Sequence, residues 1–554
     1  MKTELEQQIA AACNELFGAK AKIELTRPEE QFGDYATNVA LQLSKEVGKN
    51  PREIGEALAV KLRETLAGTV DNVSVAGPGF INLKLNDESL LKALDTKSGR
   101  ALEGQKVVAE YSDPNPFKVL HAGHLYTSIV GDAIANLLEQ AGATVHRVNF
   151  GGDVGLHVGK TMWAVLEELG GEDPQKLQAI TDPTEWLTER YIQGTKAYDK
   201  DEQTKAKIVE LNKRVYALHA EDDHDSAFAQ IYWTCRQWSY EYFDEFYARI
   251  GSHFDKYYPE SQTAPIGLET VRQHVGEVYQ ESQGAIVFNG EKYGLHTRVF
   301  INSEGLPTYE AKDVGLIILK KKDYDFDKSV VITGNEQAQY MSVVLKSIEQ
   351  FAPELAKSTT HLTHGMVKLE GGAKMSSREG NILRAVDVLD VAAEANKTLN
   401  GQDNNDTVLG AVKYAFLKNR TGGDIIYDPK ESVSLTGNSG PYLQYAHARA
   451  KSILGKAGVQ GELSDNPEFE AGERSLVRKL GEYPEVIDAA VAELMPHHIC
   501  TYLYELAQAF NRFYENNRVI GDERQALRLE LVGRYAQTLA DGLKLLGIAA
   551  PDKM

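Results

Sequence analysis

Cysteine is scarce. Cys13, Cys235 and Cys500 are the only three in 554 residues, they are far apart, and no Cys-x-x-Cys pair occurs. A disulfide framework and a zinc knuckle are therefore excluded, and a reducing, cytoplasmic compartment is expected. No apolar run is long enough to span a membrane. The opening MKTELEQQIAAACNELFG is amphipathic with acidic residues, and is expected to be a helix of the fold rather than a signal peptide. There is no internal repeat and no low-complexity tract. Positive charge is also in short supply: 60 Lys and Arg against 80 Asp and Glu, a net charge of −20. A uniformly basic surface is thus excluded, and a nucleic-acid partner would need a local basic face.

What remains is an ordinary globular composition, 42% hydrophobic and 25% charged, on a chain long enough for three or four domains. The most informative stretch is KVVAEYSDPNPFKVLHAGH at 106–124. Val107, Val108 and Ala109 read as a buried parallel strand. Pro114 and Pro116 break regular pairing. His121-Ala122-Gly123-His124 follows, and the helical pattern LYTSIVGDAIANLLEQAG begins at once. The two histidines thus stand where a strand hands over to a helix N-terminus, the place where doubly wound sheets bind nucleotides and free N–H groups meet phosphate. From these four residues alone, a metal pair or polar residues at a helix start remain equally open.

A second motif lies about 250 residues later. Lys374-Met375-Ser376-Ser377-Arg378 is a small basic segment flanked by Gly371, Gly372 and Gly380, with lysine and hydroxyl groups suited to phosphate oxygens. His-x-Gly-His followed by Lys-Met-Ser-Ser resembles the signature pair of class I aminoacyl-tRNA synthetases. The flanks Glu110-Tyr111-Ser112-Asp113-Pro114-Asn115-Pro116-Phe117-Lys118 and Pro307-Thr308-Tyr309-Glu310-Ala311-Lys312-Asp313 resemble the arginyl family. So do GPYLQYAHARAKSIL at 440–454 and the ending GLKLLGIAAPDKM.

The resemblance implies a multidomain α/β chain. A small α+β N-terminal domain, contacting the tRNA corner, is expected at 1–100. A Rossmann-like doubly wound catalytic domain would follow at 106–385, with a helical insertion at about 160–285 that carries all four tryptophans. A helical connector is expected at 386–432 and an all-α anticodon-binding bundle at 433–554. The implied activity is arginine–tRNA ligation. Arginine attacks ATP to give arginyl-adenylate and pyrophosphate, and the arginyl group then passes to the 3′ end of tRNA(Arg). Mg²⁺ is expected with ATP, held by phosphates and water, since no acidic cage is apparent. A monomer is the default expectation.

The same resemblance implies the site residues. His121, Gly123, His124, Lys374, Met375, Ser376 and Ser377 would bind ATP. His121, His124, Lys374 and Lys118 would act in catalysis, Lys118 or Arg378 replacing a second lysine that many class I enzymes carry where Ser377 stands. Glu110, Asn115, Tyr309, Asp313 and Gln337 would surround arginine. Phe80 and Asn82 would touch tRNA, although Phe80 could equally be core. Tyr442, Gln444, Tyr445, His447 and Arg449 could meet anticodon-loop bases or belong to the bundle's own packing. The family usually carries tryptophan and glutamine where Val154 and His157 stand, and often histidine at Phe150, so substrate contacts in that loop are left open. The adenylate-forming superfamily is the nearest alternative. A non-catalytic tRNA-binding paralogue would require degraded motifs, and both motifs are intact.

Overall fold

A computed structural model describes residues 1–369, 383–401, 403–457 and 468–554. The N-terminal unit packs helices α1 (Lys2–Phe17), α2 (Val39–Val47) and α3 (Pro51–Thr65) on one face of an antiparallel sheet. Its strands β1 (Tyr35–Thr37), β2 (Val70–Ala76) and β3 (Phe80–Leu85) run in the order β1-β3-β2. The alternation expected around Gly77-Pro78-Gly79 is present: Ile81, Leu83 and Leu85 face the core, while Phe80 and Lys84 are exposed on the other side. Asn82 belongs to that outer face by period-two geometry but is buried there, between Ala36 and Ser74. Helix α4 (Asp87–Leu94) leads out of the unit.

The catalytic unit is built on β4 (Lys106–Glu110), α5 (Ala122–Gln140), β5 (Thr144–Gly151) and β6 (Lys256–Pro259). Helices α6 (Leu156–Leu169), α7 (Pro183–Tyr198), α8 (Glu202–Ala220) and α9 (Ala227–Ile250) come between β5 and β6. They close on a core of their own that includes Met162, Leu187, Val215 and Cys235. The helical insertion is therefore real but ends earlier than 285. Tyr257 and Tyr258 of β6 pair in parallel with Asn149 and Phe150, so the main sheet resumes at 256. Helix α10 (Glu260–Gln273) follows. The apolar run at 285–288 then belongs to a separate antiparallel sheet of β7 (Gln280–Ser282), β8 (Ala285–Phe288) and β9 (Arg298–Ile301). A short apolar run shows that a strand forms, and leaves open which sheet takes it.

The fold returns through α11 (Tyr309–Tyr324), β10 (Lys328–Gly334), α12 (Ala338–Glu349), α13 (Pro353–Ser358) and β11 (Thr359–His364). The five-stranded sheet has the order β11-β10-β4-β5-β6, with every pairing parallel. From β4 the chain winds one way to β5 and β6, then back to β10 and β11 on the other side. The switch point is thus between β4 and β10, and a crevice opens at their C-terminal ends. Val107, Val108 and Ala109 are fully buried, as their unbroken apolar pattern predicts.

The segment expected as a connector is more than that. After β12 (Val367–Leu369) come α14 (Ala385–Asn400), α15 (Asn405–Leu417) and β13 (Ile425–Tyr427), and β13 pairs in parallel with β12. Helix α16 (Pro429–Ser432) precedes the bundle of α17 (Gly440–Ala457), α18 (Ala471–Leu480), α19 (Tyr483–Glu493), α20 (His497–Asn516) and α21 (Gln525–Leu545). Beyond α21 the chain lies against its neighbours as a strap. The carbonyls of Leu545, Gly547, Ala549 and Pro551 accept in turn from Asn136 Nδ2 at 3.2 Å, Lys413 Nζ at 2.7 Å, Gln444 Nε2 at 2.9 Å and His447 Nδ1 at 2.9 Å. Gln444 and His447 are thereby spent inside the bundle, which removes them as base readers.

The N-terminal unit is fastened to this bundle. Asp34, fully buried, accepts the Leu85 N–H at 2.7 Å and pairs with Arg474 at 2.8 Å and Arg478 at 3.3 Å on α18. Arg27 and the Tyr35 hydroxyl both reach Glu485 on α19, at 2.5 and 2.6 Å. Breaking a buried pair by removing one partner leaves an uncompensated charge, at a cost of about 3 kcal/mol or more. Asp34→Ala is accordingly expected to lower the unfolding temperature. It should also raise hydrogen exchange selectively in α18 and β3, and unchanged exchange there would show that the clamp contributes nothing.

Candidate active site

The loop from β4 to α5 is held in an uncommon backbone path. Ser112, Asp113 and Phe117 all have positive φ, at 75°, 48° and 70°, a region that costs of order 1 kcal/mol or more for residues with a Cβ. Side chains and N–H groups on every side hold it there. The Tyr111 hydroxyl donates to Asp132 at 2.6 Å, and Ser112 Oγ meets Tyr247 Oη at 2.7 Å. Asp113 Oδ1 accepts the Phe150 N–H at 2.8 Å, and Asn115 Oδ1 accepts the Gly152 N–H at 2.9 Å. A Cβ on Gly152 would stand 2.5 Å from Asn115 Oδ1, so only glycine allows this contact. Asn115 also lines the cavity.

His121 is the N-cap of α5. Its Nδ1 accepts the Gly123 N–H at 3.1 Å, while His124 Nδ1 accepts the His121 N–H at 3.1 Å, a reciprocal capping box. The rings stack 3.8 Å apart. Because both Nδ1 atoms accept, a neutral ring must carry its proton on Nε2, leaving both histidines as Nε2–H donors. Burial, reinforced by the Lys118 charge, pushes His121 down to about 4 and holds His124 well below its ordinary value. Both are therefore neutral at physiological pH. Gly123 has a second use: a Cβ there would lie 2.8 Å from the His121 ring. Lys118 is half-buried, with Nζ 5.5 Å from the Tyr191 ring centroid and no carboxylate partner among the described residues. Burial lowers its pKa.

His364, at the end of β11, was not legible as a site residue. Its Nδ1 contacts the Gly365 carbonyl at 2.7 Å and so donates, and its Nε2 receives the Thr127 hydroxyl of α5 at 2.7 Å. His157, on the first turn of α6, is turned to the backbone: Nε2 donates to the Gly152 carbonyl at 2.6 Å and burial pushes the ring down to about 3. Val154 is core. Phe150 lines the cavity.

The opposite wall comes from α11 and its neighbours. Tyr309 and Asp313, four residues apart, share one face as their spacing predicts, with Tyr309 exposed at the mouth and Asp313 buried below. The Tyr340 hydroxyl of α12 donates to Asp313 Oδ2. Burial, opposed by that hydrogen bond and reinforced by Glu110 and Glu260, pushes Asp313 up to about 8. Glu110 is buried and ion-paired to Lys320, Glu260 pairs with Lys312 at 2.5 Å, and Glu310 pairs with Arg298 at 3.0 Å. Lys320, Arg298 and Tyr340 carried no local motif, and Lys312 stood in one without a role assigned to it. They act through partners more than a helical turn away in sequence.

All these walls enclose one cavity of about 690 Å³. Glu110, Asn115, Lys118, His121, Gly123, His124, Tyr309, Asp313 and Gln337 all line it. Lys374, Met375, Ser376, Ser377 and Arg378 lie outside the described residues. Phe80 and Asn82 are far along the chain on the N-terminal sheet.

A parallel sheet open at its switch point, with a helix N-terminus beside it, is the architecture of the class I tRNA synthetase fold. The catalytic-domain model of the class I tRNA synthetases (R) matches residues 88–428, more than half of the chain. The N-terminal domain of arginyl tRNA synthetases matches residues 3–85, and the DALR anticodon-binding domain matches 443–554. The chain belongs to the arginyl-tRNA synthetase family of class I. It is 29% identical to an arginine–tRNA ligase of Porphyromonas gingivalis, with 99% of both chains covered, and 29% identical to that of Treponema denticola, with 96% of this chain and 95% of the relative covered. Thermus thermophilus arginyl-tRNA synthetase superposes over the full length of both chains, with a TM-score of 0.81 at 26% identity. No helix among the described residues is long and apolar enough to cross a membrane.

Asp313 has a consequence for stability. An acid whose pKa is raised in the folded state keeps its proton while the unfolded chain gives one up, so stability falls between about pH 4 and pH 8 and levels off above. Asp313→Asn escapes that cost. Its unfolding temperature should exceed that of the parent by a margin that grows from pH 4 to pH 8 and is constant beyond, as read by scanning calorimetry.

Proposed function

We propose that the chain activates L-arginine with ATP and transfers the arginyl group to the 3′ end of tRNA(Arg). The observation that carries this reading is that a single cavity brings a phosphate-ready end and a guanidinium-ready end together. At the first, His121 and His124 donate Nε2–H groups and Lys118 supplies positive charge that no described carboxylate cancels. At the second, Asp313 offers both carboxylate oxygens to a fork of N–H donors. Gly123 keeps the wall beside His121 open to adenine. Asn115 and Gln337 are placed for the amino-acid carboxylate or ammonium, and Tyr309 covers the mouth. In-line attack on the α-phosphate requires positioning and charge stabilisation rather than a covalent nucleophile, and the donors present meet that need.

Lys374, Met375, Ser376 and Ser377 are proposed to bind ATP. Mg²⁺ arriving with ATP is proposed to be held by the phosphates and water. The tRNA partner is proposed to lie across the outer face of the N-terminal sheet, where Phe80 is exposed for stacking; Asn82, one pleat away, is buried. On the bundle, Tyr445 is exposed, and Arg449 lies 4.7 Å from the Tyr514 ring centroid. The protein is proposed to act as a monomer in the cytoplasm.

ATP–pyrophosphate exchange with each amino acid in turn tests the assignment, and only arginine should support it. Exchange should stay near background without tRNA and rise strongly with it, because the glycine-flanked Lys374 segment carries one lysine where many relatives of the class carry two. Full exchange without tRNA would refute that coupling alone. Lys118→Met should slow single-turnover activation by about 100-fold, the effect of one charge removed from a developing anion. Arginine affinity should stay near that of the parent, and an unchanged rate would remove Lys118 from the mechanism.

A further inference from the structure

Asp153 lies in the short loop between β5 and α6 and is fully buried. Its Oδ1 accepts the Ser261 N–H at 2.9 Å and its Oδ2 accepts the Ser261 hydroxyl at 2.8 Å, in the first turn of α10. A carboxylate there satisfies an N–H that the helix itself leaves free. Oδ2 also pairs with Arg236 of α9 at 3.0 Å, and the Asp153 carbonyl accepts the Tyr232 hydroxyl of the same helix at 2.8 Å. His219 of α8 stands 3.8 Å from Oδ2, but burial lowers its pKa, and its Nε2 meets the Tyr232 hydroxyl at 2.8 Å. Arg236 is therefore the lasting cation of the group. The residues on either side of these contacts face the cavity. Gly152, whose N–H donates to Asn115 Oδ1 at 2.9 Å, lines it, and so does Glu260, the residue before Ser261. The Val154 carbonyl, one residue beyond Asp153, accepts from Lys312 Nζ at 3.4 Å, the same ammonium that pairs with Glu260.

We propose that Asp153 is a positioning residue for the amino-acid end of the cavity: by tying α9 of the helical insertion to the start of α10, it fixes Gly152, and through it Asn115, at a set distance from Glu260. This rests on the arginine reading above. The parallel ladder between β5 and β6 ends at the pair Gly151 and Pro259. Beyond that pair the two segments diverge into a loop and a helix, and the contacts of Asp153 with Ser261 continue the connection. Arg236 adds α9 as a third support, so the walls of the cavity and the insertion move as one body. A ligand held by several groups at once keeps its affinity only while those groups keep their spacing, and a displacement of about 1 Å is enough to lose much of it. The histidine end of the cavity is capped by its own helix, α5, and does not depend on this group. Asp153 itself is no part of the cavity wall and touches no substrate.

Calorimetric titration of the full-length protein with L-arginine and, separately, with ATP reads the effect. In Asp153→Asn the amide oxygen still accepts the Ser261 N–H, but Nδ2 faces the Arg236 Nε–H, donor against donor. Arginine affinity should fall about tenfold, the effect of one hydrogen bond to a charged group, while ATP affinity stays within about twofold of the parent. A merely structural role would leave both affinities in place in the folded protein or weaken them together, and either result overturns the proposal. Arg236→Met removes the cation from a side chain that is 21% exposed. It should give the same split between the two ligands, and it carries the test should Asp153→Asn fail to fold. In the double variant Asp153→Asn/Arg236→Met the opposed donors are gone, and arginine affinity should be no lower than in the weaker single variant. Losses that add would show that the two residues act separately and would overturn the tie to α9. A parent protein that binds no arginine would overturn the substrate reading first, and is distinguishable for that reason.

Discussion

The hydrogen bond from the Gly123 N–H to His121 Nδ1 sets the start of helix α5, and much of the molecule depends on where that helix begins. The bond satisfies an orphan N–H, chooses the His121 tautomer and aims its remaining N–H outward. The reciprocal contact at His124 does the same one turn on. From that origin α5 carries Thr127 to His364, Asp132 to Tyr111 and Ser252, and Asn136 to both Arg147 and the Leu545 carbonyl. One helix therefore touches the strand that supplies Glu110, the strand that leads toward the Lys374 segment and the tail of the bundle. A shift in its register would be felt at all three.

Electrostatics in the cavity follow from burial more than from charge count. With net charge −20 the protein still presents, where phosphate is expected, two neutral imidazole donors and a lysine with no carboxylate partner among the described residues. Burial keeps the histidines uncharged, so they donate hydrogen bonds without repelling Lys118. Across the cavity, burial keeps Asp313 protonated near neutral pH until a cation arrives. The site is thus assembled at a cost in stability that a ligand removes, in line with the strained backbone at Ser112, Asp113 and Phe117.

The domains share a continuous apolar core, and a few polar fasteners fix how they meet. Asp34 with Arg474 and Arg478 joins the N-terminal unit to the bundle, and the carbonyl strap at 545–551 joins the bundle to α5 and α15. The N-terminal sheet and the bundle are therefore connected, with the strap running from the bundle to the catalytic helix. Fasteners of this kind are invisible to local pattern, since Asp34 and Arg474 are 440 residues apart.

Sequence by itself determined the features that depend on neighbours within a few residues. The apolar strand at 107–109, the break at Pro114 and Pro116, the helix opening at His121, the hairpin at Gly77-Pro78-Gly79 and the shared face of Tyr309 and Asp313 all follow from periodicity and turn chemistry. The two motifs then pointed to the family. Tertiary structure alone decided matters of long-range proximity. It placed β6 in the main sheet and β8 outside it, because a four-residue strand carries no mark of its partner. It turned Gln444 and His447 inward onto the tail. It set Lys320 beneath Glu110 and Tyr340 against Asp313, pairings between groups 210 and 27 residues apart. Hydrogen bonds and ion pairs act over a few ångströms of space, and only folding brings such groups within that range.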